Sequence, residues 1–301
     1  RKQMAAVDLT GTVSQVGGRK IRGLIGNDWV TSRVVEIDYA HHTMRVWPSQ
    51  GWEYKGQGTI VPTRLRGYTF VEGKVKLAGE DGEELPVRLF VDSGGGVSIT
   101  LNTPFVNKHD LLTKAQPRLK ATVGHGLGGD VKHDVCRLAR LTLGDLVVDQ
   151  PICTLSQDKA GALSQASYDG IIGSEILTRY TVIFDGARRR MIFEPNESAK
   201  SLMQFDMSGI MLAGGGGEGP LKVYRVVDGS PASEAGLAEG DEVLEIDGKP
   251  VRGSDRDQAR DLFKEDGRER VLKIKRADDV REVTIKLRKM VRGQSGQAAA
   301  C

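Results

Sequence analysis

Short runs of apolar residues, many alternating with polar ones and punctuated by glycine and polar turns, recur along most of the 301-residue chain. That period of two predicts strands rather than helices, and the fold class is mainly β. Tyr68 to Leu77 and Leu85 to Val91 read as a hairpin around Gly79-Glu80-Asp81-Gly82. Its second strand runs into Asp92-Ser93-Gly94-Gly95, so an apolar strand delivers one carboxylate into a turn of small residues, and Val97 to Leu101 leaves as the next strand. Thr103 with Pro104 then reads as a helix start. Ala121 to Gly129 reads as a glycine-rich hairpin, and Tyr180 to Phe184 as a strand.

The pattern also repeats. Ile21 to Pro48 aligns without gaps on Tyr168 to Pro195 at a constant offset of 147, with nine identities: Gly23, Ile25, Gly26, Thr31, Val35, Asp38, Ala40, Met44 and Pro48 each recur. The chain therefore holds two copies of one unit, of which the second is complete. In the first copy Gly23 to Ser32 reads as a packed segment with a short helical turn, and Val34 to Trp47 as a hairpin turning at Ala40-His41-His42-Thr43. Met4 to Val13 reads as a further strand. Ser49 to Tyr68, with Pro48, Gly51, Gly56, Gly58 and Pro62, reads as an irregular connector.

In the second copy Asp92-Ser93-Gly94 is followed, 78 residues on, by Gly170-Ile171-Ile172-Gly173 and a strand. That combination resembles one lobe of a retropepsin-like aspartic protease, over roughly Arg1 to Pro195. The resemblance implies a bilobal β-barrel whose first lobe is incomplete here. Asp92 would be one half of a pair of carboxylates that share a proton and activate water, Ser93 and Gly94 would shape its turn, and the glycines of Gly170 to Gly173 would let that segment pass close beneath. Gly95 departs from the pattern, which often has Ala or Ser there. Gly124, His125 and Gly126 stand where such lobes carry a flap. At the same spacing the first copy's aspartate would lie roughly 55 residues before Arg1, so the chain reads as N-terminally truncated; Asp8-Leu9-Thr10-Gly11 is too close to Gly23 to replace it. The missing carboxylate would come from that upstream segment or from a second subunit.

After a linker beginning near Asn196, the order Gly229-Ser230-Pro231-Ala232, Ala235-Gly236-Leu237, Gly240-Asp241 and Ile246-Asp247-Gly248 resembles a PDZ domain of the kind attached to bacterial proteases. Ser254 with Asp257 reads as a capping-box-like helix start, and Ala259, Leu262 and Phe263 as one apolar face. The resemblance implies an open β-sandwich with two helices and a groove in which an extended or C-terminal peptide adds as a strand, with Gly209, Ile210, Met211, Leu212 and Phe263 as peptide-binding residues. The domain reading is residues 1–50 for the first-lobe remnant, 51–67 for the connector, 68–197 for the second lobe, 198–290 for the PDZ domain and 291–301 for a tail.

Charge narrows the function classes. With 43 basic and 40 acidic residues the formal charge is +3, interleaved rather than patched, which argues against a nucleic-acid partner. Arg188-Arg189-Arg190 reads as a solvated turn. The histidine pairs His41-His42 and His125 with His133 read as hairpin surface rather than metal ligands, and neither metal nor cofactor is called for. No Gly-x-Ser-x-Gly marks a serine nucleophile. Cys136 and Cys153 lie symmetrically about Gly144-Asp145, so one hairpin places them opposite each other as a disulfide or as two buried thiols. No apolar run approaches the ~20 residues of a membrane span. The family likeness implies a bacterial periplasmic, envelope-associated or secreted protein acting on peptide or protein substrates. The rival reading is a protease-like scaffold whose only activity is peptide capture.

Overall fold

A computed structural model describes residues 25–79, 82–126, 129–214 and 219–291. The strand predicted over Met4 to Val13, Asp8 to Gly11, and the tail from 292 lie outside those residues, as does the tip of the hairpin at 127–128. The protein is mainly β and forms two compact units, one built on Ile25–Lys120 with His133–Met203 and the other on Gln204–Met290. Among the described residues no helix is long and apolar enough to cross a membrane.

The first unit contains β1 (Val34–Asp38), β2 (Thr43–Trp47), β3 (Thr59–Leu65), β4 (Thr69–Lys76), β5 (Glu84–Asp92), β6 (Ile99–Leu101), β7 (Arg118–Gly126), β8 (Gly129–Arg137), β9 (Arg140–Leu143), β10 (Leu146–Asp149), β11 (Ile152–Ser156), β12 (Gly170–Gly173), β13 (Tyr180–Asp185) and β14 (Arg190–Pro195). They join in the order β2-β1-β13-β14-β3-β4-β5-β12-β6-β11-β8-β7, with β9 and β10 branching from β4. The sheet is open rather than the closed barrel expected.

The repeat is visible in this order. Each copy supplies a short helix, Asn27–Thr31 or Ser174–Leu177, and then two strands. The offset of 147 carries β1 onto Thr181–Asp185, and β1 pairs antiparallel with β13 so that Val34 faces Asp185 and Asp38 faces Thr181. At the centre Glu36 faces Ile183, its own repeat mate. Within the hairpins the register is conserved as well: Ile37 opposes Met44 as Phe184 opposes Met191. A local two-fold thus relates the copies. Val34, Ile183 and Ile192 form its apolar centre, with Trp47, Trp52 and Tyr54 packed against them.

The aspartate of each copy caps its own hairpin. Asp38 accepts the His41 amide at 3.1 Å and pairs with the His41 ring at 2.8 Å, while the fully buried Asp185 accepts the Arg188 amide and ion-pairs with Arg188 and Arg190. The arginine cluster therefore departs from the solvated turn expected: two of its three members neutralise a buried carboxylate. The stretch read as a connector also carries more structure than predicted. Thr59–Leu65 is a strand with Val61 and Thr63 facing inward, a pattern that Pro62 obscured. Pro62 is exposed and lies opposite Arg190 in the β14 pairing.

The second unit pairs β15 (Ile210–Ala213), β16 (Leu221–Val226), β17 (Glu242–Ile246), β19 (Glu269–Arg276) and β20 (Asp279–Lys286) in that order, with β18 (Lys249–Pro250) beside β17. Helices Pro231–Glu234 and Arg256–Leu262 accompany the sheet, and Leu221, Ile246, Phe263, Leu272 and Ile274 lie in its core.

Candidate active site and peptide groove

The alternation along β5 buries Leu85, Val87, Leu89 and Val91 and leaves Arg88, Phe90 and Asp92 on the other face. Asp92 ends the strand, half-buried, and Ser93 and Gly94 are exposed. The turn closes locally: the Gly94 amide donates to Asp92 Oδ1 at 3.0 Å and the Gly95 amide to the Asp92 carbonyl at 3.2 Å. A Cβ on Gly95 would come within 3.0 Å of Asp92 Oδ2, so glycine leaves the carboxylate room at the position where the sequence departs from the protease pattern.

What fixes the turn comes from 78 residues away. β12 inserts between β5 and β6, parallel to the first and antiparallel to the second, with Gly170 opposite Leu89 and Gly173 opposite Asp92. Two glycines make that passage feasible: a Cβ at Gly170 would lie 2.3 Å from the Thr100 carbonyl, and one at Gly173 2.3 Å from that of Val97. The chain then holds the aspartate loop from beneath. The Gly173 amide donates to Ser98 O at 2.9 Å, the Ser174 amide and hydroxyl to Gly95 O at 2.8 and 3.0 Å, and the Glu175 amide to Val97 O at 3.1 Å. Three of these four bonds join backbone atoms, which side-chain substitutions leave in place; the fourth depends on the Ser174 hydroxyl.

The helix after the loop, Thr103–Lys108, is capped by Asn102 rather than Thr103. Asn102 Oδ1 accepts the Phe105 amide at 3.1 Å, and its Nδ2 donates to the carbonyls of Gln165 and Tyr168. One buried side chain thereby ties the helix to the approach to β12, which Thr103 is too short to do.

Beside Asp92 lies a feature that the sequence reading missed. Tyr68, Phe70, Phe90 and Tyr168 form an aromatic group with centroids 5.1 to 6.2 Å apart. Tyr68 is 58% exposed. Burial raises the Tyr168 hydroxyl above the usual phenol range, with Tyr68 and the Asp92 charge adding to it. The alternation of Arg88, Phe90 and Asp92 was the available signal; Tyr68 and Tyr168 are joined to it only by the fold.

Gly124, His125 and Gly126 end β7, short of the hairpin tip. His133, expected at the surface, is buried at 6% exposure with Nε2 3.4 Å from Asp158. Burial lowers its imidazole below the ordinary value, against the opposing pull of Asp158 and Asp134. Cys153 faces Cys136 in the β11–β8 register, as the symmetry about Gly144-Asp145 required, and both are buried free thiols. Burial, with Cys136 beside it, pushes the Cys153 thiol well up.

In the second unit the sequence elements have local causes. Asp241 is fully buried, accepting the Ala238 amide at 2.9 Å and two bonds from Arg276 at 2.6 and 2.8 Å. Asp247 takes the left-handed conformation, φ 51°, and accepts Val271 N–H and Arg270. Residues 222–276 match the family model of the PDZ domain. The chain carries a PDZ domain. Among the described residues its β15 is an edge strand, as a groove for strand addition requires. Of the residues expected to bind peptide, Ile210 (4% exposed), Leu212 (8%) and Phe263 (0%) belong to the core, while Met211 is half-buried. Gly209 needs its glycine: φ is +78° and a Cβ would meet Ser230 Cβ at 2.2 Å. Ser254 does not cap the helix: it lies in a 3-10 turn, Gly253–Asp255, where the Asp255 carboxylate accepts the Arg252 amide at 2.8 Å, and the helix begins at Arg256 behind Asp255 with no side-chain cap.

A sequence comparison with curated proteins finds no match. Among solved structures, a retropepsin-like aspartic protease from Rickettsia conorii is similar at 14% identity and a TM-score of 0.32, over 46% of this chain and 100% of that one. The HtrA-type protease AlgW, in a serine-to-alanine form with a decapeptide, is similar at 13% identity and a TM-score of 0.30, over 90% of this chain and 97% of the other.

Proposed function

We propose that the chain is part of an aspartic-type endopeptidase in which Asp92 supplies one of two carboxylates and the PDZ domain captures peptide. The observation that carries the reading is the passage of Gly170–Gly173 beneath the Asp92 turn, where four donor bonds hold the loop while the half-buried carboxylate accepts the Gly94 amide. A site built to position one carboxylate suits chemistry that uses one. With a second carboxylate a few Å away, the two would share a proton: the ionised member takes a proton from water as that water attacks the scissile carbonyl, and the protonated member donates to the carbonyl oxygen. The local two-fold between β1 and β13 supports a pseudo-symmetric pair, the partner coming from sequence preceding Arg1 or from a second copy. Tyr68, the exposed member of the aromatic group beside Asp92, suits contact with an apolar side chain of the substrate. A periplasmic, envelope or secreted setting is part of the same reading.

The test is proteolysis of an unfolded protein substrate, read by mass spectrometry, by the protein and by Asp92→Asn. Loss of cleavage by about 10²–10⁴-fold, the range of a lost general base, supports the enzyme. Equal cleavage by both forms removes Asp92 from the chemistry. If neither cleaves while peptide is still bound, the scaffold reading replaces it.

A further inference from the structure

The turn that leads into β15 has its polar groups satisfied from within. Asp206 Oδ1 accepts three donors, the Ser208 amide at 2.9 Å, the Ser208 hydroxyl at 2.8 Å and the Gly209 amide at 2.7 Å. The Ser208 hydroxyl in turn accepts the Ile210 amide at 3.0 Å. Direction matters here. Gly209 O accepts Val227 N–H, so that residue faces β16; Ile210, next along the strand, turns its N–H to the free edge, where Ser208 takes it. The turn cannot easily shift, because Gly209 is seated against Ser230 and the Ser208 carbonyl holds the Ala232 amide at 2.9 Å.

A C-terminal carboxylate docking on the outer edge at the start of β15 would need the Ile210 amide, which the Ser208 hydroxyl occupies. Asp206 holds that hydroxyl and the neighbouring Gly209 amide, and an incoming anion would also meet its charge. Further along, β15 has no strand beside its outer edge among the described residues, and pairing there asks nothing of a chain terminus. We propose that this PDZ domain selects internal, extended segments of polypeptide rather than free C termini, with Asp206 and Ser208 as the specificity-determining pair. The proposal rests on the peptide-capture part of the function proposed above.

The test uses the full chain and one array of random heptapeptides synthesised twice, as C-terminal acids and as C-terminal amides. Binding sequences are expected to bind in both forms with affinities within about twofold, and Asp206→Ala or Ser208→Ala to shift the preference toward the acid by tenfold or more. Should circular dichroism show either variant unfolded, the other and Asp206→Asn are read instead. The asparagine keeps an acceptor and lifts the charge, and is expected to move the ratio in the same direction by less. Tenfold tighter binding of acids by the unaltered protein would overturn the proposal, as would an acid-to-amide ratio that no folded variant changes. Binding of neither form would overturn peptide capture itself, and this inference with it.

Discussion

Single residues in this protein are explained by what a backbone needs nearby. Gly173 is one: a methyl group there would press on the carbonyls of Val97 and Gly95, at 2.3 and 2.7 Å, and backbone atoms have little room to give. Gly173→Ala is expected to cost about 1–3 kcal/mol in denaturant unfolding and to lower any Asp92-dependent activity with it. Asp206 is another. Burial raises its carboxyl to about 6, the bonds from Ser208 and Gly209 opposing that, and its Oδ2 is buried without a partner. Because the folded value exceeds the unfolded 3.8, the folded state holds the proton more tightly. The associated stability is fully present below pH 4 and is lost as pH rises through 6, up to roughly 3 kcal/mol at 1.36 kcal/mol per unit. Asp206→Asn removes this titration, so the stability difference between the two proteins should change over pH 4–6 and stay level above 7. A difference that is flat throughout would show that the group does not titrate as burial dictates.

At the level of elements, the repeat explains both what was legible and what was not. Identities such as Asp38 with Asp185 and Met44 with Met191 fixed the hairpins, and the structure places them in equivalent registers about a local axis. β5 and the Asp92 turn were legible because alternation is strict there. The Gly170–Gly173 segment was legible only as a motif, since its insertion between β5 and β6 depends on contacts 69 to 81 residues apart. β3 was hidden by Pro62 and flanking glycines, and the aromatic group because its members come from three separate stretches. The cysteine register followed from hairpin symmetry, yet symmetry alone left the bond open. With Cys136 and Cys153 as free thiols, titration under denaturing, non-reducing conditions should count three thiols per chain, Cys301 included. A count of one would indicate the disulfide.

For the whole molecule, the two units divide the labour that the sequence suggested: one positions a carboxylate, the other offers a strand edge. The PDZ domain was readable because its turns need particular residues at particular places, as the bonds of Asp241 and Asp247 show. The residues expected to bind peptide have no such local signature. Gly209 to Leu212 precede the matched stretch 222–276, and burial assigns most of them to the core. The proposed chemistry needs Asp92 as one of two carboxylates sharing a proton. The most direct measurement is kcat/KM for a peptide substrate from pH 3 to 8, for the protein and Asp92→Asn. A bell-shaped profile is expected, because one carboxylate must be ionised and its partner protonated, with no activity in the variant. A rate that rises through pH 7 and survives Asp92→Asn would contradict it.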